Sequence, residues 1–233
     1  MTATAATTDA DPIAGHVSAL RAQLYGPRAA KASMLREVRD GLTDAAEGYR
    51  AEGTPPDRAV ELAIEEFGDP REIAGGYQVE LAARQARFAL AFLAVLGPIL
   101  EVSSRILWSN SPRTTKPVPD AAFVMAQLQD IVSWTASLGA ALALVVFGLG
   151  ARWLAFRVAF VRAVAYVLLG KLAFMMIAGS FLTSAFDPGT PKGAAGIFGM
   201  VFGPITLVAG TCMIWLAWRC LRVASRAKAL GAG

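Results

Sequence analysis

Four stretches of this chain are each long and apolar enough to cross a hydrocarbon layer that takes about 20 residues of helix. They are residues 88–108, 131–150, 163–186 and 194–218. Such stretches are confined to helical spans, because a helix satisfies its own backbone hydrogen bonds in a medium without water. The expected fold class is all-α: a small N-terminal cytoplasmic domain of about four helices, then a four-helix transmembrane bundle. Composition agrees, since only 17% of residues are charged, against roughly 25% in ordinary soluble domains.

Charge divides the chain at the same place. Residues 1–87 hold 14 Asp and Glu against 10 Arg and Lys, whereas residues 88–233 hold 4 acids and 12 bases. The basic pI therefore reflects membrane flanks and not a nucleic-acid surface, so no direct nucleic-acid binding is expected. Nine bases flank the ends of the spans on the side of residue 87: Arg84, Arg87, Arg152, Arg157, Arg162, Arg219, Arg222, Arg226 and Lys228. Three, Arg113, Lys116 and Lys192, lie in the other loops. The positive-inside rule then puts both ends in the cytoplasm of an inner-membrane protein. Residues 1–11 are expected to be disordered, and the first 15 lack the basic and apolar regions of a signal peptide.

The soluble domain is expected over residues 12–86. Ile13, Val17, Leu20 and Leu24 line one face of a first helix that stops at Gly26-Pro27. Leu35, Val38, Leu42, Ala45 and Tyr49 line a second, and the break Gly53-Thr54-Pro55-Pro56 separates it from a third over 56–67. Asp69-Pro70-Arg71-Glu72 reads as the start of a fourth: an acidic cap, proline at the first position and glutamate at the third. No break separates this helix from the first span. Residues 219–233 read as a basic cytoplasmic tail.

Three charged residues interrupt the spans. Glu101 and Arg105 are four apart, acid first, and can pair along one helical face. Lys171 lies about a third of the way into span 3, where it needs a partner or must snorkel to the headgroups. These three are the intramembrane polar candidates. Gly199 and Gly203 form a GxxxG unit that permits close helix approach, within the bundle or in a homo-oligomer. Residues 121–129 either lie at the outer interface, with Asp120 as a cap, or extend span 2. Pro98 and Pro204 are expected to kink spans 1 and 4.

Cys212 and Cys220 are eight apart, about 12 Å along a helix, too far for a disulfide. His16 is the only histidine, expected at a surface or helix start. No catalytic, cofactor-binding or metal site is predicted, because no phosphate loop, dinucleotide fingerprint, ligand cluster or nucleophile–base set is present.

The run Leu20, Leu24, Met34-Leu35-Arg36-Glu37-Val38-Arg39-Asp40-Gly41-Leu42, Glu52-Gly53, Pro55, Ala59-Val60, Ala63 and Phe67-Gly68-Asp69-Pro70, ending in Ile73-Ala74, resembles the small helical domain called HAAS. That domain is also described as permease prefix domain 1 or as DUF1700-like. The resemblance covers about residues 15–82. Many members have Asp-His where this chain has Asp40-Gly41. The resemblance implies a membrane protein associated with a soluble PadR-like transcriptional regulator. The candidate docking face would then be Glu37, Asp44, Glu47, Glu61 and Glu65, with Tyr49 and Phe67 as core support. Transport is the alternative, as an accessory or permease-like component; a structural homo-oligomer of the envelope is the third. The alanine- and arginine-rich, lysine-poor composition fits a high-GC actinobacterial source.

Overall fold

A computed structural model describes residues 11–109, 119–149, 158–185 and 194–231. Among them the regular structure is all helix, as seven helices: α1 Pro12–Gln23, α2 Arg28–Ala51, α3 Pro56–Phe67, α4 Pro70–Ser109, α5 Asp120–Leu149, α6 Val158–Ala185 and α7 Ala194–Ala229. Four of them, α4 to α7, are long and apolar enough to cross a membrane. The chain divides into two compact units. One comprises residues 1–84 with 223–233, the other residues 85–222.

Local chemistry explains the boundaries of the first unit. The Asp11 side chain accepts the Ile13 N–H at 3.1 Å, capping α1, and proline occupies the first position of α1, α3 and α4, where its missing N–H has no helical partner to lose. Asp69 Oδ1 accepts from Arg71 N–H at 2.7 Å at the head of α4. Gly53 and Gly68, both at φ 94°, end α2 and α3 in a conformation that only glycine adopts at no steric cost. Ile13, Leu20, Leu24, Met34, Leu35, Val38, Leu42, Ala74 and Leu81 form the core, with Val60, Ile64, Phe67 and Leu230 packed against it.

The second unit contains the greater part of α4, all of α5 and α6, and α7 as far as Arg222. Its outward side chains are apolar: Val95, Ile99, Leu138, Leu142, Met176, Ile177, Leu207 and Val208 are all exposed. Water would not tolerate so continuous an apolar surface, whereas acyl chains would cover it.

The helices exceed the expected spans at several ends. α4 is unbroken from Pro70 to Ser109, so the fourth soluble helix and the first span are one element, with Pro98 inside it. α5 begins at Asp120, which resolves residues 121–129 as an extension of span 2. The carbonyl of Pro119 accepts the first helical bonds from Ala122 and Phe123, and Asp120 is the first helical residue instead of the cap. α6 starts at Val158 instead of 163. The segment expected as a basic tail is helix as far as Ala229, and residues 223–231 belong to the N-terminal unit. Its apolar stripe explains this: Val223, Ala224 and Ala227 are fully buried.

Candidate functional site

In the N-terminal unit, α1 ends at Gln23 with its last carbonyls aimed out of the helix. Two side chains take them up. Lys31 Nζ donates to the carbonyls of Arg21 and Leu24, each at 2.8 Å. Arg226 Nε, from the end of α7, donates to the Gln23 carbonyl at 3.0 Å. Both cations sit where the partial negative charge of a helix C-terminus favours them. The turn that follows α1 is held by Gln78 of α4, fully buried. Its Oε1 accepts the Tyr25 N–H at 2.9 Å, and its Nε2 donates to the Tyr25 carbonyl at 2.8 Å and to the Val223 carbonyl at 3.4 Å. One amide thus joins the α1–α2 turn, α4 and the end of α7. The turn fits closely over α4, since a Cβ on Gly26 would stand 3.2 Å from Leu81 Cβ.

The five acids of the expected docking face are all exposed. They are not equivalent. Arg58 binds Glu61 at 2.9 Å and Glu65 at 3.3 Å, so α3 neutralises part of its own charge. Glu37, Asp44 and Glu47 on α2 form no ion pair among the described residues and carry the outward negative charge. Tyr49 is half-buried, and its hydroxyl donates to Glu66 Oε2 at 2.8 Å. That hydrogen bond to a carboxylate raises the tyrosine pKa, so Tyr49 ties α2 to α3 at the surface and is not core support. Phe67 does pack on the core.

His16 is neither a helix start nor a plain surface residue. Its ring meets Phe67 edge-on at 5.7 Å, and Nε2 is buried without a hydrogen-bond partner among the described residues. Burial lowers its pKa below 6.5, opposed by the charge of Asp69. The unfolded chain therefore takes the proton first as pH falls. Stability from this site is intact above pH 6.5 and declines as the pH drops below it. His16→Leu is expected to remove that part of the acid sensitivity, measured as hydrogen exchange of α1 amides in the intact protein on either side of the histidine range. Identical pH profiles for the two proteins would show that His16 is not responsible.

Within the membrane unit, Arg105 Nε lies 3.7 Å from Glu101 Oε1, the pair expected along α4. The sequence reading missed a second acid, Asp130 of α5, whose Oδ2 accepts from Arg105 Nη2. Lys171 of α6 is close enough to Glu101 for the two to interact electrostatically. Gly97, one turn before Glu101, makes room for this approach. A Cβ there would overlap the Ser137 hydroxyl and stand 3.6 Å from Lys171 Nζ. Ser137 in turn donates to the Leu93 carbonyl at 3.3 Å.

Of the glycine pair, only Gly203 has described surroundings. A Cβ on Gly203 would meet nothing within 4 Å among the described residues. The surroundings of Gly199 lie outside the described residues. Close approach within the unit occurs at Gly97 and at Gly210, where a Cβ would stand 3.3 Å from Leu172. At the other end of α7, Arg219 and Arg222 lie over the rings of Trp215 and Trp218 at 4.5 and 4.0 Å, an arrangement suited to headgroup level.

Neither a curated protein nor a solved structure matches the chain. One protein-family model does. Residues 17–76, about a quarter of the chain, match HAAS; with four membrane-length helices beside it, the chain has the make-up of a HAAS-domain membrane protein.

Proposed function

We propose that this is a regulatory membrane protein whose HAAS-like helical domain binds a soluble protein partner. The family match supports partner binding. The observation that carries the reading is the exposed acidic side of α2, Glu37, Asp44 and Glu47, beside an α3 whose Glu61 and Glu65 are shared with Arg58. Such a surface suits a partner with a basic patch. The flanking bases favour both ends in the cytoplasm of an inner membrane, and a PadR-like transcriptional regulator is the partner class that the HAAS resemblance suggests.

The test is in-cell crosslinking of the full chain followed by identification of what is attached. A soluble DNA-binding regulator is expected with the wild type, and its recovery is expected to drop at least about tenfold, or about 1.4 kcal/mol of binding, in the Glu37→Lys, Asp44→Lys, Glu47→Lys variant. Equal recovery from the two would remove α2 as the docking face. Recovery of a permease or ATPase subunit would favour the second reading, an accessory component of a transport system. The charged groups brought together at Glu101, Arg105, Asp130 and Lys171 support that alternative. The open side of Gly203 would suit a contact with a second copy.

A further inference from the structure

Charged and polar groups from three helices converge in the membrane unit. α4 supplies Glu101 and Arg105, α5 supplies Asp130 and Ser137, and α6 supplies Lys171. α7 has no charged residue before Arg219. The groups are graded in exposure. The Arg105 side chain is 59% exposed and that of Asp130 39%, whereas that of Glu101 is 11%. Arg105 is also nearest the end of α4 at Ser109, with Glu101 one turn further in and Gly97 another. The result is a polar track that starts at an accessible ion pair and ends at Ser137, Lys171 and the backbone of Leu93, about 18 Å further along α4 than Arg105.

Within that track the carboxylates compete. One guanidinium serves both acids, and Asp130 holds the closer contact, leaving Glu101 at 3.7 Å from it. Lys171 is the second cation near enough to act on Glu101 electrostatically. With two carboxylates and two cations, the group is neutral when all four are ionised. Pro98, three residues before Glu101, has no N–H to give to the carbonyl of Ala94, so the α4 backbone is polar at the closed end of the track as well.

We propose that Glu101 is a proton-binding site of the membrane region, reached along Arg105 and Asp130. In the binding step, hydronium gives its proton to a Glu101 carboxylate oxygen and leaves as water, and the cluster passes from neutral to one net positive charge. Charged residues within a span are costly unless paired, and carboxylates set beside cations there commonly serve proton relays. The occupant is a proton because the Glu101 side chain is only 11% exposed and already has the Arg105 guanidinium 3.7 Å away, which leaves no room for a larger ligand. Protonation removes the attraction between Glu101 and Lys171, and so changes what holds α4 to α6. This inference is independent of the soluble partner.

The test uses the full chain in phospholipid nanodiscs and infrared difference spectra between neutral and mildly acidic pH, where exposed carboxylates remain ionised. The wild type is expected to gain a carboxylic-acid C=O band that Glu101→Gln abolishes and that Glu72→Gln, on the soluble part of α4, leaves in place. Lys171→Met is expected to shift the midpoint of that band, because it removes the second cation acting on Glu101. A band unchanged in Glu101→Gln overturns the proposal, as does the absence of any such band from the wild type. If Glu101→Gln fails to fold, Lys171→Met decides: an unmoved midpoint excludes Glu101 as the acceptor.

Discussion

Leu81→Ala is expected to destabilise the N-terminal unit by about 2–5 kcal/mol, the range for removing a fully buried leucine. Leu81 is completely buried in the core, directly beneath Gly26 at the α1–α2 turn. A hydrophobic core in a unit of this size leaves little margin, so the loss takes most of its stability. Hydrogen exchange in the intact protein is expected to show α1 and α2 amides exchanging by opening of the whole unit, while amides of α5 and α6 keep their protection. Unchanged exchange in α1 and α2 would show that Leu81 is not central to this core.

The second large effect is at Gln78. Gln78→Ala removes an amide that pairs with both polar groups of the Tyr25 backbone and with the Val223 carbonyl. A buried polar group left without a partner costs about 1–3 kcal/mol, and the Tyr25 N–H and carbonyl both lose theirs. The expected cost is therefore about 2–6 kcal/mol. Gln78→Glu separates geometry from chemistry: it retains an acceptor for the Tyr25 N–H but has no NH2 for the two carbonyls. Its penalty is expected to match or exceed that of alanine, since a buried carboxylate must also be desolvated. Exchange at the Tyr25 amide is the direct readout. If that amide is as protected in Gln78→Ala as in the wild type, Gln78 is not what holds the turn.

The soluble helices were legible because their punctuation is local. Pro55-Pro56 and Asp69-Pro70 start α3 and α4, and Gly53 and Gly68 end the preceding helices, so each boundary is decided by the residues at it. The spans were legible as apolar runs, but their ends were not. The expected spans 2 and 3 begin just after Asp130 and Arg162, although both residues are inside helices. An acid that Arg105 neutralises from another helix need not end its own, and no sequence window contains both partners. The end of α7 was hidden by its arginines. Its signal was present in Val223, Ala224, Ala227 and Leu230, spaced as one helical face, which marks a second apolar surface beyond the span. Gln78 had no signal at all, because a glutamine that bridges two distant backbone segments looks in sequence like one that faces water. The acidic face was visible as composition, but its division between Arg58-bound and unbound acids depends on rotamers and required coordinates.

The contact between Arg226 and Gln23 joins residues 203 positions apart, which has a consequence for biosynthesis. A chain leaves the ribosome from its N-terminus, and domains ordinarily fold in that order. Here α1, α2 and α3 emerge early, but Val223 and Leu230 are translated only at the end of the last of the four membrane-length helices. Until then the carbonyls at the end of α1 lack Arg226, and the core lacks Leu230. Closure of the N-terminal unit therefore follows synthesis of the membrane helices, and the mature form of that unit is confined to chains in which translation has passed the last of them.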